Sequence, residues 1–172
     1  MNQKQLKEWT GLKCSDIVFD SNINNWSRWT SVFNEKIIGK KQLVFLIEDE
    51  DGEKFGYYLN TEVVEKYGDW IETDKKSFEF NLQSNGRLKQ SMKFEIKDLR
   101  GGYKLYEKSS DVLITLGNIG LYKENKKNVS HCYQYDEKFD YHGIEKALCG
   151  KTYEKPNYEY FTPKRILVIQ MK

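Results

Sequence analysis

Two of the three cysteines and the two histidines are the residues best suited to chemistry. His131 and Cys132 are adjacent, His142 follows Cys132 by 10 residues, and Cys149 follows His142 by 7. A zinc site would use all four, but adjacent side chains on an extended segment point in opposite directions. His131 and Cys132 are therefore poor joint ligands. We predict no metal and no cofactor, and the simpler interpretation is a loop with solvated histidines and partly buried thiols.

A thiol nucleophile is a second possible chemistry for these residues. It requires a thiol of lowered pKa with a base within hydrogen-bond reach. Cys132 or Cys149 could meet His131 or His142 in the fold, but spacing alone does not show it. Cysteines also serve as small apolar core residues. A thiol-dependent enzyme or peroxide scavenger that uses Cys132 and Cys149 is therefore an open alternative.

An acidic run and a set of tyrosines are candidates for binding. The segment 48–51 is followed by Gly52, but the spacing does not match a calcium loop, and no glutamate stands at the twelfth position. We predict a solvated hairpin tip whose Glu50 and Asp51 could dock on a basic partner. Tyrosine is favoured at interfaces because it is large and rigid and has a polar end.

The tyrosines in question lie in the last third of the chain, where few secondary-structure signals occur. A protein-binding surface, a glycan- or small-ligand-binding face, and simple packing of an irregular segment onto the domain all remain open for them. The interaction candidates are Tyr133, Tyr135 and Tyr141, and the aromatic pattern continues through Tyr153, Tyr158 and Tyr160.

Composition excludes several classes of protein. Lys and Arg number 28 and Asp and Glu number 26, so the net charge is +2, which argues against a nucleic-acid binder. The basic cluster Lys123, Lys126 and Lys127 is predicted to be a solvated face. Aromatic residues make up 15% of the chain, which is too many for a disordered protein. No N-terminal leader pattern or membrane-length apolar run occurs, so we expect a cytoplasmic protein with reduced thiols and no transmembrane segment.

The elements that must position these residues are mostly short strands. Residues 1–15 are predicted to be an N-terminal arm or short helix, and residues 16–172 a single domain. An apolar stripe predicts a helix over 25–38, ended by Gly39. Gly56, within a strand, suggests a bulge or a close backbone approach. Alternation over 77–82 predicts one buried and one solvated face, whereas the apolar strand 165–171 is expected to be central. The strands are predicted at 16–21, 42–48, 54–59, 77–82, 92–96, 103–106, 112–117, 120–123 and 165–171.

These patterns predict a mainly β fold with some α structure (α+β). Strands separated by turns, without regularly alternating helices, exclude a parallel doubly wound sheet. We expect an antiparallel two-sheet β-sandwich flanked by short helices.

The ordered set of motifs resembles the TLDc domain, the family of oxidation-resistance proteins and their relatives. The hairpin Leu43–Leu59, with Phe55-Gly56-Tyr57, is similar to the hairpin of that family, and Lys76–Phe80 is similar to its E-S/T-F-L-F strand. Gly120-Leu121-Tyr122 resembles its G-L-W strand. The segments Ser130–Leu148 and Phe161–Met171 resemble the remainder. The family's glycine-rich stretch is shortened to 116–119 here, so the chain resembles a divergent member.

The resemblance covers roughly residues 20–172 and implies a β-sandwich flanked by helices. It also implies a non-catalytic interaction domain with a role in protection against oxidative stress. The partner that it implies is the peripheral sector of the vacuolar proton-pumping ATPase, whose disassembly some members of the family promote.

Overall fold

The computed structural model describes residues 3–150 and 158–172, and Tyr153 therefore lies outside the described residues. The described chain contains two α-helices, α1 (Gln3–Thr10) and α2 (Phe33–Ile37), and a 3₁₀ turn at Leu99–Gly101. The strands are β1 (Cys14–Asp20), β2 (Leu43–Asp49), β3 (Lys54–Leu59), β4 (Trp70–Ile71), β5 (Phe78–Gln83), β6 (Met92–Glu95), β7 (Tyr103–Leu105), β8 (Val112–Leu116), β9 (Ile119–Tyr122), β10 (Ser130–Tyr133), β11 (Tyr158–Phe161) and β12 (Pro163–Met171).

The strands form two six-stranded sheets, and all neighbouring strands are antiparallel. The first sheet has the order β1-β12-β2-β3-β5-β6, and the second has the order β11-β10-β9-β8-β7-β4. The predicted class, an α+β antiparallel two-sheet sandwich with short helices, is confirmed. The strand β12 lies in the interior of the first sheet, as its continuous apolar sequence predicts.

The main core lies between the two sheets. The ring of Phe55 in the first sheet meets that of Phe161 in the second edge-on, with 5.0 Å between the centroids. A smaller apolar cluster covers the outer face of the first sheet, where α1 packs Leu6 and Trp9. Trp9 lies 6.0 Å from Phe78, again edge-on. Burial on both faces explains why β2 is almost entirely apolar.

Gly56 lies where neighbouring segments approach closely inside the first sheet. It pairs with Leu46 on one side and with Phe80 on the other. A Cβ atom at this position would overlap the carbonyl oxygen of Phe45 and lie 2.9 Å from the ring of Phe80. Of the two predicted explanations for this glycine, the structure shows the close backbone approach.

The predicted helix over 25–38 is wrong for most of its length, because only Phe33–Ile37 is α-helical. The side chain of Asn25 accepts a hydrogen bond from the backbone N–H of Ser27, which gives the chain a local turn instead of a helix. Trp29 has a φ of 73° and donates its N–H to the carbonyl of Lys108, on a distant segment. A local side-chain hydrogen bond and a hydrogen bond to a distant segment therefore prevent the helix that the apolar periodicity predicts.

The two faces of β5 also differ from their prediction. Phe78 and Phe80 lie on the outer face of the first sheet, under α1, whereas Glu79 and Asn81 point inward and are buried. The alternation itself is correct, but both faces are covered. The carbonyl of Leu148 accepts a hydrogen bond from the side chain of Asn81 at 2.6 Å, so the segment around Leu148 supplies part of the inner cover.

Lys123 is not the solvated residue that the basic cluster predicts. Its side chain is almost fully buried. Its ammonium group donates to the carbonyls of Lys108 at 2.8 Å and Ser110 at 2.6 Å, which satisfies the buried charge with backbone oxygens. Burial lowers the pKa of this amine.

Within the described residues, no helix is both long and apolar enough to cross a bilayer.

Candidate functional site

The pairing of β10 with β11 places Cys132 opposite Glu159 in the second sheet. Both side chains face the core, and Cys149 reaches the same place from the irregular segment that follows β10. The Cys149 sulfur lies 3.3 Å from Oε2 of Glu159. The two sulfurs and a carboxylate oxygen all lie within 4.8 Å of one another. We call these three residues the thiol–carboxylate cluster.

Hydrogen bonds to the backbone hold Cys149 in this cluster. Oε2 of Glu159 accepts from the backbone N–H of Cys149 at 3.2 Å and from that of Gly150 at 3.3 Å. Gly150 adopts a φ of 75°, in the left-handed region that favours glycine. Glu159 therefore fixes the turn that carries Cys149 as well as contacting its thiol.

Arg87 supports the same turn from the other side. Its guanidinium donates to the carbonyls of Lys146 and Leu148 and pairs with the buried carboxylate of Glu53. The guanidinium also lies against Gly150, so that any side chain at position 150 would displace it. The turn at 146–150 is therefore positioned by charged and amide groups on several strands and loops.

Burial dominates the electrostatics of the cluster. It raises the pKa of the Cys132 thiol well above its usual value, and the adjacent Cys149 raises it further. Burial also raises the pKa of the Glu159 carboxyl, against hydrogen bonds from Cys149 and Gly150 that lower it. The Cys132 thiol is therefore protonated at neutral pH and is a weak nucleophile in this state.

The histidines lie away from the two thiols. His131 points to the opposite face of β10 from Cys132, and its Nδ1 lies 3.0 Å from the carbonyl oxygen of Val129. His142 is on the surface. Its Nε2 lies 3.6 Å from Oε2 of Glu95, and its Nδ1 lies 3.5 Å from Oδ1 of Asp140. Of the four residues considered for thiol chemistry, the structure brings together only the two cysteines.

The outer face of the second sheet carries a contiguous group of aromatic rings. Tyr133 lies 3.8 Å from Tyr135 and 4.1 Å from Tyr158, as measured between ring centroids. The rings of Tyr158 and Tyr160 are stacked at 5.6 Å. Most of these side chains are half-buried, and Tyr135 is 39% exposed. This aromatic face consists of Tyr122, His131, Tyr133, Tyr135, Tyr158 and Tyr160.

Tyr141 is separate from the aromatic face, because it is buried in the core. Its hydroxyl donates to Oε2 of Glu79 at 2.5 Å and accepts from the side-chain amide of Asn118 at 2.6 Å. Glu79 also accepts from the backbone N–H of Asn118 at 2.7 Å. The tyrosine therefore serves a buried polar network in the structure.

Glu79 and Glu159 are buried carboxyl groups that the sequence patterns did not predict. Burial raises the pKa of Glu79 to about 8, although the hydrogen bonds from Tyr141 and Asn118 lower it. The alternating pattern of β5 predicts a solvated Glu79, and Glu159 stands among tyrosines with no acidic motif around it. A signal for Glu159 was nevertheless present, since period-two alternation in β11 places it on the same face as the apolar Phe161.

The acidic candidates lie at the tip of the hairpin between β2 and β3. Both Glu50 and Asp51 are exposed, and the tip is tied to other segments through its backbone. The N–H of Glu50 donates to the carbonyl of Thr162, and the carbonyl of Asp51 accepts from the side chain of Asn85 at 2.8 Å. These bonds give the tip a fixed position on the surface.

Comparison with known proteins adds no relative to this description. No family model matches the sequence, and no curated protein is significantly similar to it. The chain is therefore defined by its fold, an α+β antiparallel two-sheet sandwich, and by two features: a buried thiol–carboxylate cluster and an exposed aromatic face.

Proposed function

We propose that this chain is a non-catalytic, cytoplasmic interaction domain that binds a protein partner through the aromatic face. The observation that carries the proposal is the contiguous set of tyrosines on the outer side of the second sheet. Rigid aromatic side chains with a polar end contribute much of the binding energy of protein interfaces at little cost in conformational entropy. The odd number of cysteines, three, agrees with a reducing compartment.

The aromatic face extends beyond the tyrosines at one side. The ammonium group of Lys138 lies 4.7 Å from the ring of Trp70 and 5.9 Å from that of Tyr135. Trp70 is a large and substantially exposed apolar residue. A patch with aromatic rings at its centre and a charged residue at its margin has the arrangement of a protein interface.

The ring geometry favours a protein partner over a glycan. A sugar ring stacks best on a flat and open aromatic ring. Tyr133, at the centre of the face, meets Tyr135 and Tyr158 at interplanar angles of 63° and 70°, so its neighbours stand edge-on rather than forming one platform. Specific binding on a glycan array would support the alternative of a glycan-binding sandwich.

The partner that we propose is the peripheral sector of the vacuolar proton-pumping ATPase, with a role in protection against oxidative stress. The ordered TLDc-like motifs support this partner, and the two-sheet fold agrees with what the resemblance implies. The acidic hairpin tip, Glu50 and Asp51, is a second surface that could dock on a basic region of the same sector.

A direct binding measurement tests the proposal. The purified chain is titrated against the isolated peripheral sector, and Tyr133→Ser and Tyr135→Ser are compared with Tyr106→Ser, a partly exposed tyrosine next to β7. We expect each variant in the aromatic face to weaken binding roughly tenfold or more, as interface hot spots do, and the Tyr106 variant to bind normally. Binding no stronger than that of an unrelated β-sandwich would exclude this partner. Equal binding by all variants would show that the aromatic face is not the binding surface.

The thiol alternative has one observation in its favour, namely that Cys132 and Cys149 meet. Their burial, the raised pKa of the Cys132 thiol and the distant histidines all oppose a role as a nucleophile. Peroxide consumption by the wild-type chain, Cys132→Ser and Cys149→Ser decides between the two functions. Equal rates are expected, and a loss of activity in either variant would establish thiol chemistry.

A further inference from the structure

We propose that Cys132, Cys149 and Glu159 form a binding site for one zinc ion inside the sandwich. The three side chains come from two strands and one irregular segment, yet their ligand atoms lie within 4.8 Å of one another. All three residues are almost fully buried. Two thiols and a carboxyl group are ligands that zinc accepts in proteins.

The spacing of the ligand atoms fits a tetrahedral ion. Zinc–sulfur bonds of about 2.3 Å and zinc–oxygen bonds of about 2.0 Å place a sulfur and an oxygen roughly 3.5 Å apart, and two sulfurs roughly 3.8 Å apart. The sulfur of Cys149 and Oε2 of Glu159 are 3.3 Å apart. A common centre for all three atoms therefore requires only small side-chain movements.

The surroundings hold the ligands in place, as the outer shell of a metal site does. Glu159 is fixed by the backbone N–H groups of Cys149 and Gly150, and Arg87 anchors the same turn through the carbonyl of Leu148. Cys132 is fixed by its position in β10, opposite Glu159.

Binding follows from the protonation chemistry of the ligands. Each thiol gives up its proton to solvent as a zinc–sulfur bond forms, and the carboxylate supplies the third bond. The two thiolates, the carboxylate and Zn²⁺ carry a net charge of −1, next to the neutral ion pair of Arg87 and Glu53. The three protein ligands occupy three of the four positions of a tetrahedral ion. The ion would join β10 and β11 to the irregular segment that covers Glu79 and Asn81.

Cobalt binding to the purified chain tests this site. We expect one equivalent of Co²⁺ to give thiolate charge-transfer absorption in the near ultraviolet and intense tetrahedral bands in the visible, both abolished by excess Zn²⁺. Glu159→Gln is expected to weaken affinity by roughly tenfold or more, because loss of a ligand costs at least as much as loss of an outer-shell partner. Cys132→Ser and Cys149→Ser are expected to lose at least as much affinity and about half of the charge-transfer intensity. The matched control is Cys14→Ser, which removes the cysteine outside the cluster and should leave the spectrum unchanged.

Two further measurements guard against variants that fail to fold. Circular dichroism without metal establishes that each variant is folded. Thermal unfolding is then measured with and without zinc. Zinc should raise the Tm of the wild type more than that of Glu159→Gln, because a ligand stabilises the native state to which it binds. Absence of charge-transfer absorption in the wild type would overturn the proposal. So would a count of one free thiol in the metal-free protein, because Cys132 and Cys149 would then form a disulfide.

Discussion

At the scale of single residues, two buried carboxyl groups of the sandwich, Glu79 and Glu159, are held by neutral hydrogen-bond donors. Glu79 is held by a tyrosine hydroxyl and a backbone N–H, and Glu159 by a thiol and two backbone N–H groups. Neutral donors lower the pKa of a buried carboxyl, but the cost of removing its charge from water raises it. For Glu79, burial outweighs the hydrogen bonds.

Glu79→Gln is expected to change how stability depends on pH. Folding raises the pKa of Glu79 from 4.5 to about 8, so in that range the native state binds more protons than the unfolded state. The stabilisation from this group is complete below pH 4.5 and is lost as the pH rises towards about 8, by at most about 1.4 kcal/mol per pH unit. Gln is neutral throughout, so the variant should show a shallower slope.

Urea unfolding of the wild type and the variant at several pH values measures this difference. Glu159→Gln is a useful second variant, because burial raises the pKa of that carboxyl too and its slope has the same sign. Parallel pH profiles for the wild type and Glu79→Gln would contradict the expectation.

At the scale of elements, the sequence predicts nine of the twelve strands in the described residues but misses β4, β10 and β11. The apolar run of β2 and the Asp51-Gly52 turn specify a hairpin locally, and the paired register of β2 and β3 follows from it. Residues 25–32 carry an equally clear helical pattern of apolar residues. Asn25 and Trp29 nevertheless make hydrogen bonds that hydrophobic periodicity cannot predict. The same limit applies to the thiol–carboxylate cluster, since Cys149 is placed by Arg87 and Asn81 through long-range hydrogen bonds.

Gly56→Ala is expected to destabilise the first sheet by overpacking. The added methyl group would overlap the backbone of Phe45 and press on the ring of Phe80. A cost of about 1–3 kcal/mol is typical of such insertions. The control is Gly101→Ala, whose methyl group would meet only the end of the Lys138 side chain, at 3.4 Å. Chemical denaturation measures the free energy of unfolding of each variant. Equal values for the two variants would show that β3 can accommodate a methyl group at position 56.

Asp20→Asn is expected to weaken the junction between β1 and β12. Arg165 donates to Asp20 through two nitrogens, at 3.1 and 2.7 Å, and lowers the pKa of this buried carboxylate. Loss of the charge should cost about 1–2 kcal/mol near neutral pH, since Arg165 remains partly solvated. Stabilisation from a carboxyl of lowered pKa fades in acid, so the gap between wild type and variant should narrow as the pH falls below 3.8.

The matched control for this ion pair is Asp69→Asn. Asp69 pairs with Lys66 at 3.3 Å, but both side chains are more than half exposed, so its loss should have little effect. A similar change in the two variants would show that the Asp20 pair does not act as a buried one.

At the scale of the whole molecule, the two outer faces of the sandwich are treated differently. The helix α1 covers the outer face of the first sheet with Leu6 and Trp9. The outer face of the second sheet instead presents half-buried tyrosines to solvent. The fold thus supplies one closed apolar face and one aromatic face, and only the second is offered for binding in our proposal.

Trp9→Ala is expected to uncover Phe78 and Phe80, whose ring centroids lie 6.0 and 6.1 Å from that of Trp9. The loss in the free energy of unfolding should be about 2 kcal/mol, below the range for a fully buried tryptophan. Binding of a hydrophobic dye should rise as well. Trp29→Ala, at an exposed position, is the comparison and should change stability by less than about 0.5 kcal/mol. Dye binding that is unchanged in the Trp9 variant would mean that α1 does not protect this face.

The place of β12 also bears on how the chain can be made in a cell. This strand follows all the others in sequence, yet it pairs with both β1 and β2. While a ribosome is still adding residues 163–171, β1 has no neighbour in its sheet and β2 has one open edge. Unpaired edges of apolar strands invite pairing with other chains. Until β12 is available for pairing, these two edges of the first sheet stay open to other chains.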